Sequence, residues 1–254
     1  MPGTQPAELR LMPFRAVRYA GAGDELARVI APPYDVIDEE QRRALEARDA
    51  HNVVRLILPR SPDELTDRES PATRNPAAGS SASGPSATDT ATDKYAAAAA
   101  TFDRWLSEGV LLVDDEPALY VYQQRRDTTI LQRGLFGAVV VQPLDSGVIL
   151  PHENVRPGPV EDRLSLMRAM RGNPEPIFLL YDGGGRATAI SGETVARPPI
   201  AATRTDDGVT HELWAITNAA DLAAIADDLA ARHAMIADGH HRYTTYGYLR
   251  DELR

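Results

Sequence analysis

Residues 236–243 read IADGHHRY, and this stretch restricts the local fold more than any other in the chain. The apolar run at 234–237 has the composition of a short buried strand. Asp238-Gly239 is a turn signal. Beyond it, Tyr246, Leu249 and Leu253 recur at helical spacing. A strand is therefore expected to give way to a helix at Gly239 and His240. The first turn of a helix has unpaired N–H groups and partial positive charge, which together suit a phosphate. Gly239 would let a ligand approach the main chain closely. Arg242 has the fork geometry for phosphate oxygens, and His240 and His241 offer further donors. Asp238 is out of place as a phosphate binder and fits better as a metal ligand or a base at the rim. The same residues also read as an Asp-capped helix N-terminus with surface histidines.

The bulk numbers narrow the function classes. At 254 residues and 43% hydrophobic content, the chain can bury a real core as one large domain or two small ones. A net charge of -10 and a pI of about 5.1 argue against wrapping nucleic-acid phosphates, which needs a basic footprint. The absence of cysteine excludes disulfides, thiolate metal sites and a thiol nucleophile. The chain has no apolar run of about 18 residues, and its first residues lack the apolar region of a secretion signal. It is expected in the cytoplasm, away from membranes. The phosphate-loop pattern GxxxxGK[ST] is missing. The one lysine, Lys94, lies beside an alanine run, a poor setting for a catalytic amine.

In chain order, residues 11–19 read as an opening or edge strand. Residues 29–37, VIAPPYDVI, must be extended and stiff, because Pro32 and Pro33 forbid a helix or a central strand. Asp35 follows on that stiff backbone and is a candidate site carboxylate, or else a turn residue before a helix. Asp38 reads as the N-cap of a helix over 39–48. Residues 51–58, HNVVRLIL, read as a strand. Residues 60–93 are rich in Pro, Ser, Thr, Ala and Gly, and too poor in large apolar side chains to offset their ordering entropy. A flexible insertion is expected there. A helix over 94–108 ends at Gly109. Residues 94–215 then form a sheet-rich middle: strands at 110–113, 118–123 and 129–142, a buried strand at 176–182, and strands within 187–217. Residues 150–156 place His152 and Glu153 in a loop after a strand. Glu153 can serve there as a general base or a magnesium ligand; the alternative is a polar loop with no chemistry. A Pro-Gly-Pro turn at 157–159 precedes a helix. Gly183 to Gly185 form a loop that is no dinucleotide fingerprint, since no helix with the required spacing is expected after it. Residues 216–254 form a helix–strand–helix unit. The order predicts an α+β fold with a mixed or antiparallel sheet and flanking helices.

The segments PFRAVRYA, IAPPYDVIDEEQRRAL, NVVRLILP, PALYVYQQ, PHENVRPGPVEDRLSLMRAMRGNPEPIFLLYD and IADGHHRYTT together resemble domain of unknown function family 1015, found in bacteria and archaea. The resemblance spans residues 1–254 as one family region, interrupted at about 60–93. Family members usually extend past DGHHRY, so it implies a C-terminally shortened chain. Asp238 to Arg242 are also similar to the strand-to-helix phosphate motif of the ParB and sulfiredoxin superfamily, above all to its free-serine kinases. Sulfiredoxin has a cysteine where His240 stands, so that chemistry is not expected.

Three functions follow as expectations. The first is phosphoryl transfer from a nucleotide, ATP or ADP with magnesium, to a small-molecule hydroxyl. Gly239, His240, His241 and Arg242 would bind phosphate, with His152 near the substrate. Asp238, with Glu153 or Asp35, would place the metal or take the proton. The second is a non-catalytic nucleotide-binding regulatory module. The third is a metal-dependent hydrolase using His152, Glu153, Asp238 and His240.

Overall fold

The computed structural model describes residues 7–61, 64 and 87–253. Most of the expected insertion at 60–93 lies outside them. Within its last part, however, a helix already begins at Ala87 and not at Lys94.

The fold is α+β, as the element order predicts. Four β-sheets are formed among the described residues, the largest with four strands and entirely antiparallel. Its strands are β4 (Leu119–Arg126), β5 (Thr129–Phe136), β9 (Ala201–Arg204) and β10 (Val209–Ile216), in the order β5-β4-β10-β9. Alternation along β4 and β10 sends Leu119, Val121, Trp214 and Ile216 to one face, where they are buried. A three-stranded sheet consists of β7 (Ile149–Leu150), β11 (Ala234–Asp238) and β8 (Phe178–Leu180), with β11 in the middle, parallel to β7 and antiparallel to β8. Two small pairs join β1 (Leu11–Met12) to β6 (Ala138–Val139) and β2 (Val17–Tyr19) to β3 (Leu111–Val113).

Eight α-helices occur among the described residues: α1 (Asp24–Val29), α2 (Glu39–Arg48), α3 (Val54–Ile57), α4 (Ala87–Ser107), α5 (Pro157–Met170), α6 (Gly185–Thr194), α7 (Ala219–Ala230) and α8 (His240–Glu252). Helix α2 has the predicted bounds because a capping box fixes its start. Asp38 accepts from the Gln41 N–H at 2.8 Å, and the Gln41 side chain accepts from the Asp38 N–H at 3.0 Å.

Two apolar cores organise these elements. One joins Leu119, Val121, Trp214 and Ile216 to Ile149, Ala234 and Ile236 of the three-stranded sheet. Ala187 and Ile190 of α6, Ile225 and Leu229 of α7, and Tyr243 of α8 close it. The other gathers Leu56 of α3, Tyr95, Ala98 and Trp105 of α4, Leu111 of β3, and Leu166 and Met170 of α5. Helix α5 packs on both α4 and α8, so it links the second core to the strand–helix junction at Gly239.

Several expectations need correction. Residues 51–58 are not a strand. Val54, Leu56 and Ile57 are all buried within the four-residue helix α3, and an all-buried apolar run carries no period to separate helix from strand. The opening segment is two short strands in different sheets. The 129–142 strand breaks at Gly137, where an added Cβ would lie 2.5 Å from Leu11 Cγ. Pro157-Gly158-Pro159 is the first turn of α5, a position where proline loses no helical hydrogen bond. The strand expected at 176–182 is shorter, with Phe178 and Leu180 exposed.

The glycine loop at 183–185 does run into a helix, α6, where a strand had been expected. That helix start is occupied by the chain itself. Asp228 Oδ2 accepts from the Ala187 N–H at 2.8 Å, and a Cβ at Gly185 would fall 2.3 Å from Asp228 Oδ1. An anion is thus already present, and it belongs to α7.

Candidate functional site

The parallel pairing of β7 and β11 creates the site. Ala234 lies opposite Ile149 and Met235 opposite Leu150. Parallel neighbours deliver their C-terminal ends to the same edge, the place where ligands collect in sheets of this kind. The loop after β7 carries His152 and Glu153, and the turn after β11 carries Asp238, Gly239 and His240. Residues 88 positions apart in sequence meet there.

His240 is the first residue of α8 and is 3% exposed. Its Nδ1 lies 3.0 Å from Glu153 Oε1, and its Nε2 accepts the main-chain N–H of His152 at 3.3 Å. The His152 and His240 rings meet edge to face, 4.4 Å between centroids. His152 Nδ1 donates to the Ile236 carbonyl at 2.6 Å, which in the neutral imidazole places the lone pair on Nε2. Burial lowers the pKa of His240, while the Glu153 carboxylate pulls it the other way. Because Nε2 accepts an N–H, the ring proton lies on Nδ1 and is donated to Glu153. The Glu153 side chain is 52% exposed, which leaves oxygen lone pairs open to solvent. His241 Nε2 accepts the Arg156 N–H at 3.0 Å, and this ties the loop at 151–156 to α8 a second time.

Helix α8 has no side-chain cap, so its first N–H groups are left for a ligand or solvent. Gly239 has φ of 94°, in the left-handed region. An added Cβ would stand 2.9 Å from Ile177 Cγ2. The glycine is thus required by backbone conformation and by close packing on Ile177. Gly239→Ala is expected to cost about 1–3 kcal/mol, read as a lower urea midpoint at unchanged slope. A loss below about 0.5 kcal/mol would mean the junction relaxes freely.

Arg242 faces inward. It is 3% exposed, donates Nη1 to the Pro176 carbonyl, and pairs through Nη2 with Asp238 Oδ2. Its guanidinium ties Asp238 to the Pro176 main chain, two residues before β8. Asp238 keeps a 47% exposed side chain and is not one of the three clustered groups. Asp35 is exposed on a 3-10 turn at Tyr34–Val36, and its neighbour Tyr34 makes the segment's interior contacts.

Those contacts lead to residues that sequence reasoning passed over. Tyr34 N–H donates to Glu175 Oε1 at 3.0 Å, and its ring lies under the Arg163 guanidinium at 4.1 Å. Arg163 donates Nη1 to Glu175 Oε2 at 3.1 Å and to the Ile57 carbonyl at 2.7 Å, and its Nε to Asp162 Oδ2 at 3.0 Å. Burial raises the Glu175 pKa, opposed by the Tyr34 N–H and by Arg163 and Arg242. Burial would also raise Asp162, but hydrogen bonds from Tyr95, Arg163 and Lys94 bring it down to about 2. This network fastens the two-proline segment and α3 to α5. No local sequence signal marks Arg163 and Glu175 as partners.

What emerges is an α+β protein with a carboxylate–imidazole cluster at the C-terminal ends of two parallel strands, beside an uncapped helix start. The chain belongs to the family described as Protein of unknown function (DUF1015), whose model matches residues 11–254. No curated protein and no solved structure matches it. No helix among the described residues is long and apolar enough to cross a membrane.

Proposed function

We propose that this site binds a phosphorylated small molecule, with a nucleotide as phosphoryl donor to a small hydroxyl compound. One observation carries the reading: the uncapped start of α8 opens beside Glu153, whose exposed carboxylate is oriented by the buried His240. Phosphoryl transfer asks a protein mainly for positioning and charge stabilisation. The α8 N–H groups and His241 would hold phosphate oxygens. Glu153 would accept the hydroxyl proton, and its hydrogen bond from His240 Nδ1–H fixes where that carboxylate points. His152 Nε2 is free to orient the acceptor. Arg242 acts indirectly, by holding Asp238 and the helix start in place. Two imidazoles do not suit magnesium, which prefers oxygen donors, so magnesium would arrive with the nucleotide phosphates. The free-serine-kinase likeness of DGHHR makes serine the first acceptor to test.

The experiment is thermal unfolding with magnesium and ADP, ATP, CTP, GTP or pyrophosphate, with and without serine. A ligand that binds only the native state at a hundred times its Kd adds about 2.7 kcal/mol. A selective rise in midpoint, followed by turnover of one acceptor, is the expected result. No shift with any of these ligands at millimolar concentration would sink the reading. A shift without product from any hydroxyl compound would leave a nucleotide-binding regulatory module.

A further inference from the structure

We propose that His152, Glu153 and His240 form a binding site for a divalent transition-metal ion of the zinc class, open towards solvent. One donor atom from each residue lies within 4.8 Å of the other two. Zinc-type shells hold nitrogen and oxygen donors about 2.0–2.2 Å from the ion, so neighbouring donors sit roughly 3–3.5 Å apart. Small side-chain rotations bring these three onto one ion. Two imidazoles and one carboxylate suit borderline ions such as zinc, cobalt or iron, and not the all-oxygen octahedron of magnesium.

The surroundings fit the assignment. Metal-bound histidines characteristically donate their other ring nitrogen to a carbonyl or carboxylate, which fixes the ring and its tautomer. His152 already does so, giving Nδ1–H to Ile236 and leaving the Nε2 lone pair free. His240 is fixed by burial at the start of α8. Both of its nitrogens are in hydrogen bonds, one to Glu153 and one from the His152 N–H, and coordination exchanges one of these for a metal bond. Glu153 is half exposed on a loop whose residues 152–156 are all exposed. Three protein ligands then leave a position for water or a ligand oxygen, the pattern of catalytic and not structural zinc. The site shares residues with the phosphoryl-transfer reading but does not depend on that reaction.

The test uses the untagged full chain, stripped with a chelator. Zinc binding is measured by calorimetry, metal content by elemental analysis after dialysis, and cobalt binding by its visible absorption. One ion per chain is expected. His152→Ala and Glu153→Gln, both at exposed positions, should each weaken binding by more than about tenfold, since losing even a second-shell partner costs that much. His51→Ala should leave it unchanged. No uptake, or equal affinity in the wild type and both ligand variants, would overturn the site. Metal uptake without any nucleotide-induced shift would uphold the site and retire the phosphoryl-transfer reading alone. A nucleotide shift without metal uptake would do the reverse.

Discussion

Arg163→Met is expected to destabilise the protein by about 3–5 kcal/mol, the usual cost of removing one partner from a buried ion pair. Methionine keeps most of the side-chain volume, so the loss reports charge and hydrogen bonding more than a cavity. The variant strands Glu175, whose side chain is 8% exposed, and leaves the Ile57 carbonyl without its charged donor. Urea unfolding at pH 7 is the measurement, read as a lower midpoint at unchanged slope. The pH dependence has a definite sign. Glu175 already has a raised pKa in the folded state, and loss of Arg163 raises it further. A carboxyl whose folded pKa exceeds its unfolded value binds more protons when folded, so its contribution is full below the unfolded pKa and lost as pH rises through the folded one. The variant should therefore regain stability relative to wild type as pH falls from 7 towards 5. Arg163→Met combined with Glu175→Gln should recover much of the loss at pH 7. A single-variant cost below about 1 kcal/mol would show that the pair is not the clamp described above.

The second large effect is on turnover. If Glu153 takes the proton from the acceptor, Glu153→Gln should lower kcat about 10²–10⁴-fold. Its thermal midpoint should barely move, because the side chain is half exposed and glutamine can still accept from His240 Nδ1–H. Nucleotide affinity should persist, since the α8 N–H groups are untouched. Asp238→Asn should act differently. It removes the charge that faces the buried Arg242 guanidinium, so its main effect should be on stability. Full kcat in Glu153→Gln would remove Glu153 from the reaction.

The sequence revealed the junction at Gly239 clearly, because a short apolar run, Asp-Gly and a helical repeat agree there. The α2 helix was equally legible, since Asp38 and Gln41 form a local capping box. The strands expected at 118–123 and from 129 were readable as well, and they pair as β4 and β5. Helix α6 was not. Its sequence GRATAISGET mixes small, β-branched and glycine residues that weaken a helical pattern, and burial of Ala187 and Ile190 against α7 decides the matter. At the site, His152, Glu153 and His240 were each visible as candidates. The hydrolase reading put them in one site, but no local signal carried that convergence, which depends on the parallel pairing of β7 with β11. The direction of Arg242 was also hidden. Residue type alone suggests a phosphate fork, and only the position of Pro176 shows why the guanidinium turns inward. Arg163 and Glu175 gave no local signal at all, since their partnership needs the two-proline segment folded over α5.

The brevity of β7 has a consequence for sequence change. It meets β11 through two residue pairs, and His152 follows two positions after Leu150. A single-residue deletion at Pro151 would shorten the link from this anchored strand to His152 and pull its Nδ1 away from the Ile236 carbonyl. The core below, anchored by Ile149, would survive while the cluster was lost. Length is therefore constrained between Ile149 and Glu153, and again up to Arg156, whose N–H must still reach His241 Nε2.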